Sequence, residues 1–211
     1  MTQELYFIAE IIGIIAFSVS GAAVAFKKNM DLFGIIILGA CTALGGGVIR
    51  DVLLGITPPS MFKTPLYAVV AAVVSLVVFI PAVQKLLEGS RAYDTIMLIM
   101  DSIGLGLFTV LGIQTALEKD STYNFFVLVS VGVITGIGGG ILRDVLAGER
   151  PYVFVKHFYA CASIIGAIVC VILKDYISLS AASLIGAIII VALRILAAVF
   201  RWKLPKPKRS L

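Results

Sequence analysis

Charge is scarce in this 211-residue sequence: Asp, Glu, Lys and Arg make up 14% of it, against 60% hydrophobic residues. Soluble domains carry about a quarter charged residues, and a soluble fold could not cover this much apolar surface, so that class is excluded. Histidine is nearly absent as well. His157 stands alone beside Lys156, with no serine, cysteine or acid around it in a nucleophile arrangement, so enzyme chemistry finds no support. The three cysteines, Cys41, Cys161 and Cys170, lie in apolar runs without ligand spacing, so no metal or cofactor is expected. A phosphate-binding loop is also missing, because the triple glycines precede Arg-Asp rather than Gly-Lys-Ser/Thr. The formal charge is +5, but the basic residues sit at the ends of apolar runs and in a short tail, not in a basic domain interleaved with aromatics. That excludes a nucleic-acid partner.

What is present is a series of long apolar runs, each near the roughly 20 residues needed to cross a hydrocarbon core of about 30 Å as a helix. They predict an all-α integral membrane protein with seven transmembrane helices at 5–26, 32–54, 64–84, 93–116, 124–147, 155–174 and 178–200. The first run has no basic leader and no small-residue cleavage site, and it carries Glu4 and Glu10, so it reads as a mature helix. Connections are short, so residues 1–211 form a single membrane domain ending in a basic tail, 201–211. Lysine and arginine placement then predicts orientation. Lys27, Lys28, Lys85, Arg91, Arg143, Arg150, Lys156 and five tail residues share one side, against Arg50, Lys63, Lys119 and Lys174 on the other. The C-terminus is expected to be cytoplasmic and the N-terminus external or periplasmic.

An internal repeat organises these spans. Gly45-Gly46-Gly47-Val48-Ile49-Arg50-Asp51-Val52-Leu53-Leu54-Gly55 returns 93 residues later as Gly138-Gly139-Gly140-Ile141-Leu142-Arg143-Asp144-Val145-Leu146-Ala147-Gly148, with Pro58 matching Pro151 and Lys63 matching Lys156. Upstream, with a gap, Ser18-Val19-Ser20-Gly21 falls roughly opposite Asp101-Ser102-Ile103-Gly104. Each copy contains three crossings, so the second enters the membrane from the other side. The expected plan is two inverted three-helix repeats, 5–84 and 93–174, followed by a seventh helix; transport proteins with this plan place their pathway at the repeat interface.

Each glycine in a helix interior costs about 1 kcal/mol relative to alanine. Duplication of the costly triplet favours a pathway-lining kink or partial unwinding at Gly45, Gly46, Gly47 and at Gly138, Gly139, Gly140, where backbone meets a polar route. Close helix packing is the competing explanation. Arg50, Asp51, Arg143 and Asp144 follow the glycines by about one turn. They are candidates for cation attraction and cross-repeat pairing, or for snorkelling pairs that end each apolar segment. Asp101 lies within the fourth span with no adjacent base, a candidate pathway carboxylate or an aspartate bonded to a neighbouring helix. Ser18, Ser20, Thr42, Ser102 and Thr135 offer hydroxyl oxygens, although such groups often bond back to their own helix. Arg194, in the seventh span, has no sequence-local partner.

These duplicated Gly-Gly-Gly-x-x-Arg-Asp-Val segments, with Met30-Asp31-Leu32-Phe33-Gly34 before the second span, resemble the bacterial members of the trimeric intracellular cation channel superfamily. Those members overlap a bacterial inner-membrane family known as glycine transporter domain proteins. The resemblance covers almost the whole chain. It implies a homotrimer in the bacterial inner membrane, with one pathway per subunit bordered by the second and fifth helices and permeable to monovalent cations such as potassium. It also implies contacts with membrane lipids and a role in gating, for which Lys63, Lys119 and Lys156 are candidates. No TVGYG filter is present, so pore width, hydroxyls and charge would have to set a modest selectivity. The alternative is a secondary carrier of glycine or another small zwitterion, whose carboxylate would meet freed amides at the glycines while Asp51, Asp101 or Asp144 held the ammonium.

Overall fold

A computed structural model describes residues 3–155 and 158–202, and within them all regular structure is helical. The elements are α1 (Gln3–Lys27), α2 (Leu32–Leu53), α3 (Ser60–Lys63), α4 (Pro65–Val78), α5 (Pro81–Glu88), α6 (Ser90–Lys119), α7 (Phe125–Leu146), α8 (Tyr152–Val155), α9 (Tyr159–Leu173) and α10 (Leu179–Val199). Among the described residues, α1, α2, α6, α7 and α10 are each long and apolar enough to cross a membrane. The third expected span divides into α4 and α5, bent by 70°. Pro81 at the start of α5 lacks the N–H that would continue the hydrogen-bond ladder, and Ile80 before it is extended. The sixth shortens to the 15-residue α9, about 22 Å long at 1.5 Å per residue.

The repeated sequence sets identical boundaries on α2 and α7. Asp31 caps α2 by accepting from Gly34 N at 2.8 Å, and Asn124 caps α7 by accepting from Val127 N at 3.0 Å. Both helices end where the motif places Gly55 and Gly148, at φ +66° and +69°. There Ile56 N donates to Asp51 O and Glu149 N to Asp144 O, each at 2.8 Å, closing the loop that a left-handed glycine permits.

The core is the four-helix group α1, α2, α6 and α7, with α4 on α1 and α2, α9 on α7 and α6, and α10 on α6 and α9. At its centre α2 crosses α7 without intervening side chains. A Cβ on Gly46 would fall onto the carbonyl oxygen of Thr135, and one on Gly139 onto that of Thr42. Both helices run uninterrupted through their triplets, so the partial unwinding expected there does not occur. The glycines supply close approach, the competing explanation of their cost. Gly45 receives the Leu142 side chain, Gly138 receives Ile49, Gly47 receives Met61 and Gly140 receives the Tyr159 hydroxyl.

Next to this crossing, Phe17 and Phe108 stack with ring centroids 5.3 Å apart and planes 22° from parallel. Gly104 accommodates Phe17 and Gly13 accommodates Phe108. Contacts in α1 therefore recur in α6 at an offset of 91 residues, against 93 for α2 and α7. This replaces the register that set Ser18–Gly21 opposite Asp101–Gly104: Glu10 now matches Asp101, and Phe17 matches Phe108.

Overpacking a tight contact typically costs about 1–3 kcal/mol, and here the obstacle is backbone that cannot rotate away. Gly46→Ala and Gly139→Ala are each expected to lower the thermal unfolding midpoint in detergent. Gly89→Ala, whose added Cβ meets nothing closer than 3.6 Å, should leave it unchanged. Equal melting of all three variants would show that the crossing has room to spare.

Candidate functional site

Each Arg-Asp pair of the motif is buried and closes on itself. Arg50 Nε donates to Asp51 Oδ1 at 2.7 Å, and Asp51 Oδ2 accepts from Ser60 N, the first residue of α3, at 2.6 Å. Arg143 Nε donates to Asp144 Oδ1 at 2.8 Å, and Asp144 Oδ2 accepts from Tyr152 N, the first residue of α8, at 2.7 Å. The carboxylate thus holds the arginine with one oxygen and starts the next helix with the other. Among the described residues, no ion pair joins either motif arginine to the other repeat. Only Arg143 reaches across, from its Nη1 to the hydroxyl of Ser20 on α1.

Around Arg143 the cluster is larger. Arg143 Nη1 also donates to Asp101 Oδ1 at 2.7 Å, and Arg194 Nη2 from α10 lies 3.8 Å from Asp101 Oδ2. The Arg194 guanidinium rests on the Tyr159 ring, 4.6 Å from its centroid. Asp101 and Arg194, which the sequence leaves without partners, are therefore partners of each other. Two arginines and two aspartates cancel in formal charge, which suits groups 0–4% exposed inside an apolar bundle.

Near Arg50 the composition differs. Glu10, 4% exposed, accepts a hydrogen bond from the Tyr67 hydroxyl of α4. Tyr6, one turn earlier on α1, shares a hydrogen bond with Thr115 Oγ1 of α6 at 2.9 Å. Arg50 Nη1 is buried with no hydrogen-bond partner. Sequence reasoning treated Glu10 only as an argument against a leader peptide and passed over Tyr6, Tyr67 and Tyr159. For Glu10 the signal was the 91-residue offset, which sets acid opposite acid in two apolar helices and becomes visible only once α1 and α6 are aligned by packing.

The remaining candidates sit as follows. Thr42 and Thr135 donate back to Leu38 O and Val131 O, each at 2.6 Å, and Ser102 to Leu98 O at 2.5 Å. Each hydroxyl proton thus stays on its own helix while oxygen lone pairs remain free. Ser18 Oγ is fully buried without a partner. Lys63 is exposed at the end of α3, and Lys156 lies outside the described residues. A cleft of about 430 Å³ opens beside Asp144, bordered by Lys27, Lys28, Tyr93, Asp94, Glu149 and Tyr152. Lys28 and Glu149 form an ion pair on its rim, which holds the Glu149 carboxyl below its ordinary range. Among the described residues, no group of acids, cysteines and histidines is placed to hold a metal ion.

This fold has solved relatives across its full length. One, reported with the structural basis for conductance through TRIC cation channels, matches with a TM-score of 0.86 at 37% identity and covers 100% of both chains. A prokaryotic TRIC channel crystallised in 0.5 M KCl gives 0.88 at 33% identity over 97% of this chain and 100% of that one. The TRIC trimeric intracellular cation channel orthologue from Rhodobacter sphaeroides gives 0.86 at 31% identity over 95% and 100%. The class is thus a helical, multi-pass membrane protein with the TRIC channel fold.

The family model described as glycine transporter matches residues 7–82 and 98–175, and the chain belongs to that family within the TRIC superfamily. The UPF0126 inner membrane protein YadS of Escherichia coli K12 is 37% identical over 202 residues, spanning 96% of this chain and 95% of that protein. The UPF0126 membrane protein YvgT of Bacillus subtilis is 33% identical over 195 residues, 92% and 93% of the two.

Removing one member of a buried ion network strands the others, at a cost of about 3–5 kcal/mol. Arg143→Met is therefore expected to destabilise the protein by that amount in urea or heat denaturation. Adding Asp101→Asn restores formal neutrality with Asp144 and Arg194, and should recover part of the loss. A double variant no more stable than the single would show that hydrogen bonding, rather than charge balance, holds the cluster.

Proposed function

We propose that this protein is a homotrimeric channel for monovalent cations, potassium among them, with one pathway in each subunit. The observation that carries this reading is full-length similarity to solved TRIC cation channels at 31–37% identity. The pathway follows the seam between α1, α2, α6 and α7, past Ser18, Thr42, Ser102 and Thr135 and both glycine triplets, with the two charge clusters at its ends. Here the seam is closed by the Phe17–Phe108 stack and the Arg143–Ser20 tie, so conduction requires the rings to turn aside and Arg143 to release Ser20. Residues 5–84 and 93–174 act as inverted halves, with α4–α5 and α8–α9 completing the third and sixth of seven crossings. The seat is the bacterial inner membrane, with the N-terminus external, the C-terminus cytoplasmic and Lys63 and Lys156 at lipid head groups. The family's description favours one other reading, a carrier of glycine or a similar zwitterion.

Recording from purified protein in planar bilayers, beside labelled glycine uptake into proteoliposomes, separates the two. Unitary potassium currents without saturable, counterflow-competent uptake are expected. Uptake with counterflow and no unitary current would establish the carrier. Native mass measurement should return three copies, and alkaline phosphatase fused at the C-terminus should be inactive.

A further inference from the structure

The two charge clusters differ by one unit. Around Arg143, two arginines meet two aspartates. Around Arg50, one arginine meets Asp51, and Glu10 adds a second carboxyl with no cationic group within ion-pair distance among the described residues. The missing charge corresponds to Arg194, which reaches Asp101 from α10. That helix follows the second half of the chain, and no described helix supplies an equivalent to the first. The groups facing Glu10 are Tyr6 on its own helix, Arg50 and Asp51 from α2, and Tyr67 from α4. Thr115 and Glu118 of α6 face Tyr6.

A carboxylate removed from water requires a counter-charge. Arg50 faces Glu10 but already pairs with Asp51, and the other groups around the carboxyl present oxygen: two tyrosine hydroxyls and, beyond Tyr6, the Thr115 hydroxyl, donors of the hard kind that alkali cations take. The hydroxyl hydrogens rotate about their C–O bonds, so the lone pairs can face an ion without moving the rings. One positive charge brings the cluster to zero, as at the other end, whereas a divalent ion would overshoot beside Arg50.

We propose that Glu10, with the hydroxyl oxygens of Tyr6, Tyr67 and Thr115, binds one monovalent cation at the end of the seam nearer the N-terminus, where the ion takes the part that Arg194 plays at the other end. The proposal rests on the cation-channel reading for the ion's identity. Its test does not require conduction.

Thermal unfolding of the full-length protein in nanodiscs is followed at mildly alkaline pH, with KCl replaced stepwise by N-methyl-D-glucamine chloride at constant ionic strength. The wild type should melt higher with rising potassium, saturably, and Glu10→Gln should lose that dependence. Tyr67→Phe keeps the carboxylate but removes one oxygen, and should raise the potassium midpoint by about two- to tenfold. If Glu10→Gln does not fold, an unshifted midpoint in Tyr67→Phe overturns the site. Potassium dependence that survives unchanged in Glu10→Gln overturns it too. A wild type indifferent to potassium, whose stability instead falls as pH is raised, means that Glu10 holds a proton. Bilayer currents without any potassium effect on melting would reject this site alone, and a potassium effect that depends on Glu10 without currents would reject the channel alone.

Discussion

At the crossing of α2 and α7 there is no space for a side chain, and the rest of the bundle is arranged around that fact. Lipid tails are as apolar as leucine, so helices in a bilayer gain little from burying greasy surface against one another and depend on close van der Waals packing. Gly46 over the Thr135 carbonyl and Gly139 over the Thr42 carbonyl let the two backbones touch. The flanking positions then interlock side chain into notch, Leu142 at Gly45 and Ile49 at Gly138. A triplet that looks expensive in an isolated helix, at about 1 kcal/mol per glycine, is offset by contact that no larger residue permits.

The Arg-Asp pairs follow from the same geometry. With the crossing fixed, one turn further along each helix lies a buried position near the helix end, where a lone arginine or aspartate would be costly. Placed next to each other, the two neutralise locally, and the second aspartate oxygen is left to receive the first amide of the short helix that follows. The motif therefore links three tasks in eleven residues: close crossing, internal charge balance and a left-handed glycine that ends the helix. Duplication of so long a string is accounted for by folding, before any transport role is assigned to it.

Part of this was legible in the sequence because the motif is contiguous: the ends of α2 and α7 and the membrane class follow from local patterns, whereas the full burial of Arg50 and Arg143 was not foreseen among pairing, cation attraction and snorkelling. The α4–α5 bend was written in Pro81, yet hydropathy treats an apolar run as one span whatever its shape. The glycine triplets were ambiguous because helix propensity counts the cost of a glycine and cannot see the carbonyl on the neighbouring helix that requires it. Glu10 was missed for a related reason. Its match to Asp101 uses an offset two residues different from that of the motif, and helices α1 and α6 share too few residues to reveal it without the Phe17–Phe108 stack. Arg194 found its partner only in three dimensions, since Asp101 is 93 residues away on a helix that α10 packs against.

The position of α10 also means that the two charge clusters are not electrostatically equivalent. The four central helices set Glu10 opposite Asp101 and Arg50 opposite Arg143 at the two ends, with Tyr67 of α4 and Tyr159 of α9 packed beside them. A long helix packed on one side alone, α10, breaks that equivalence. It does so with a charged group inside the bundle, Arg194, held on the Tyr159 ring and directed at Asp101. At that end the positive charge is covalently tied to the protein, and the Arg143–Ser20 contact fastens the same cluster to α1. At the other end the acid is held by the Tyr67 hydroxyl, which turns on its own bond. On the channel reading, an ion moving between these ends would leave a cluster whose charges cancel within the protein for one that carries an additional carboxyl.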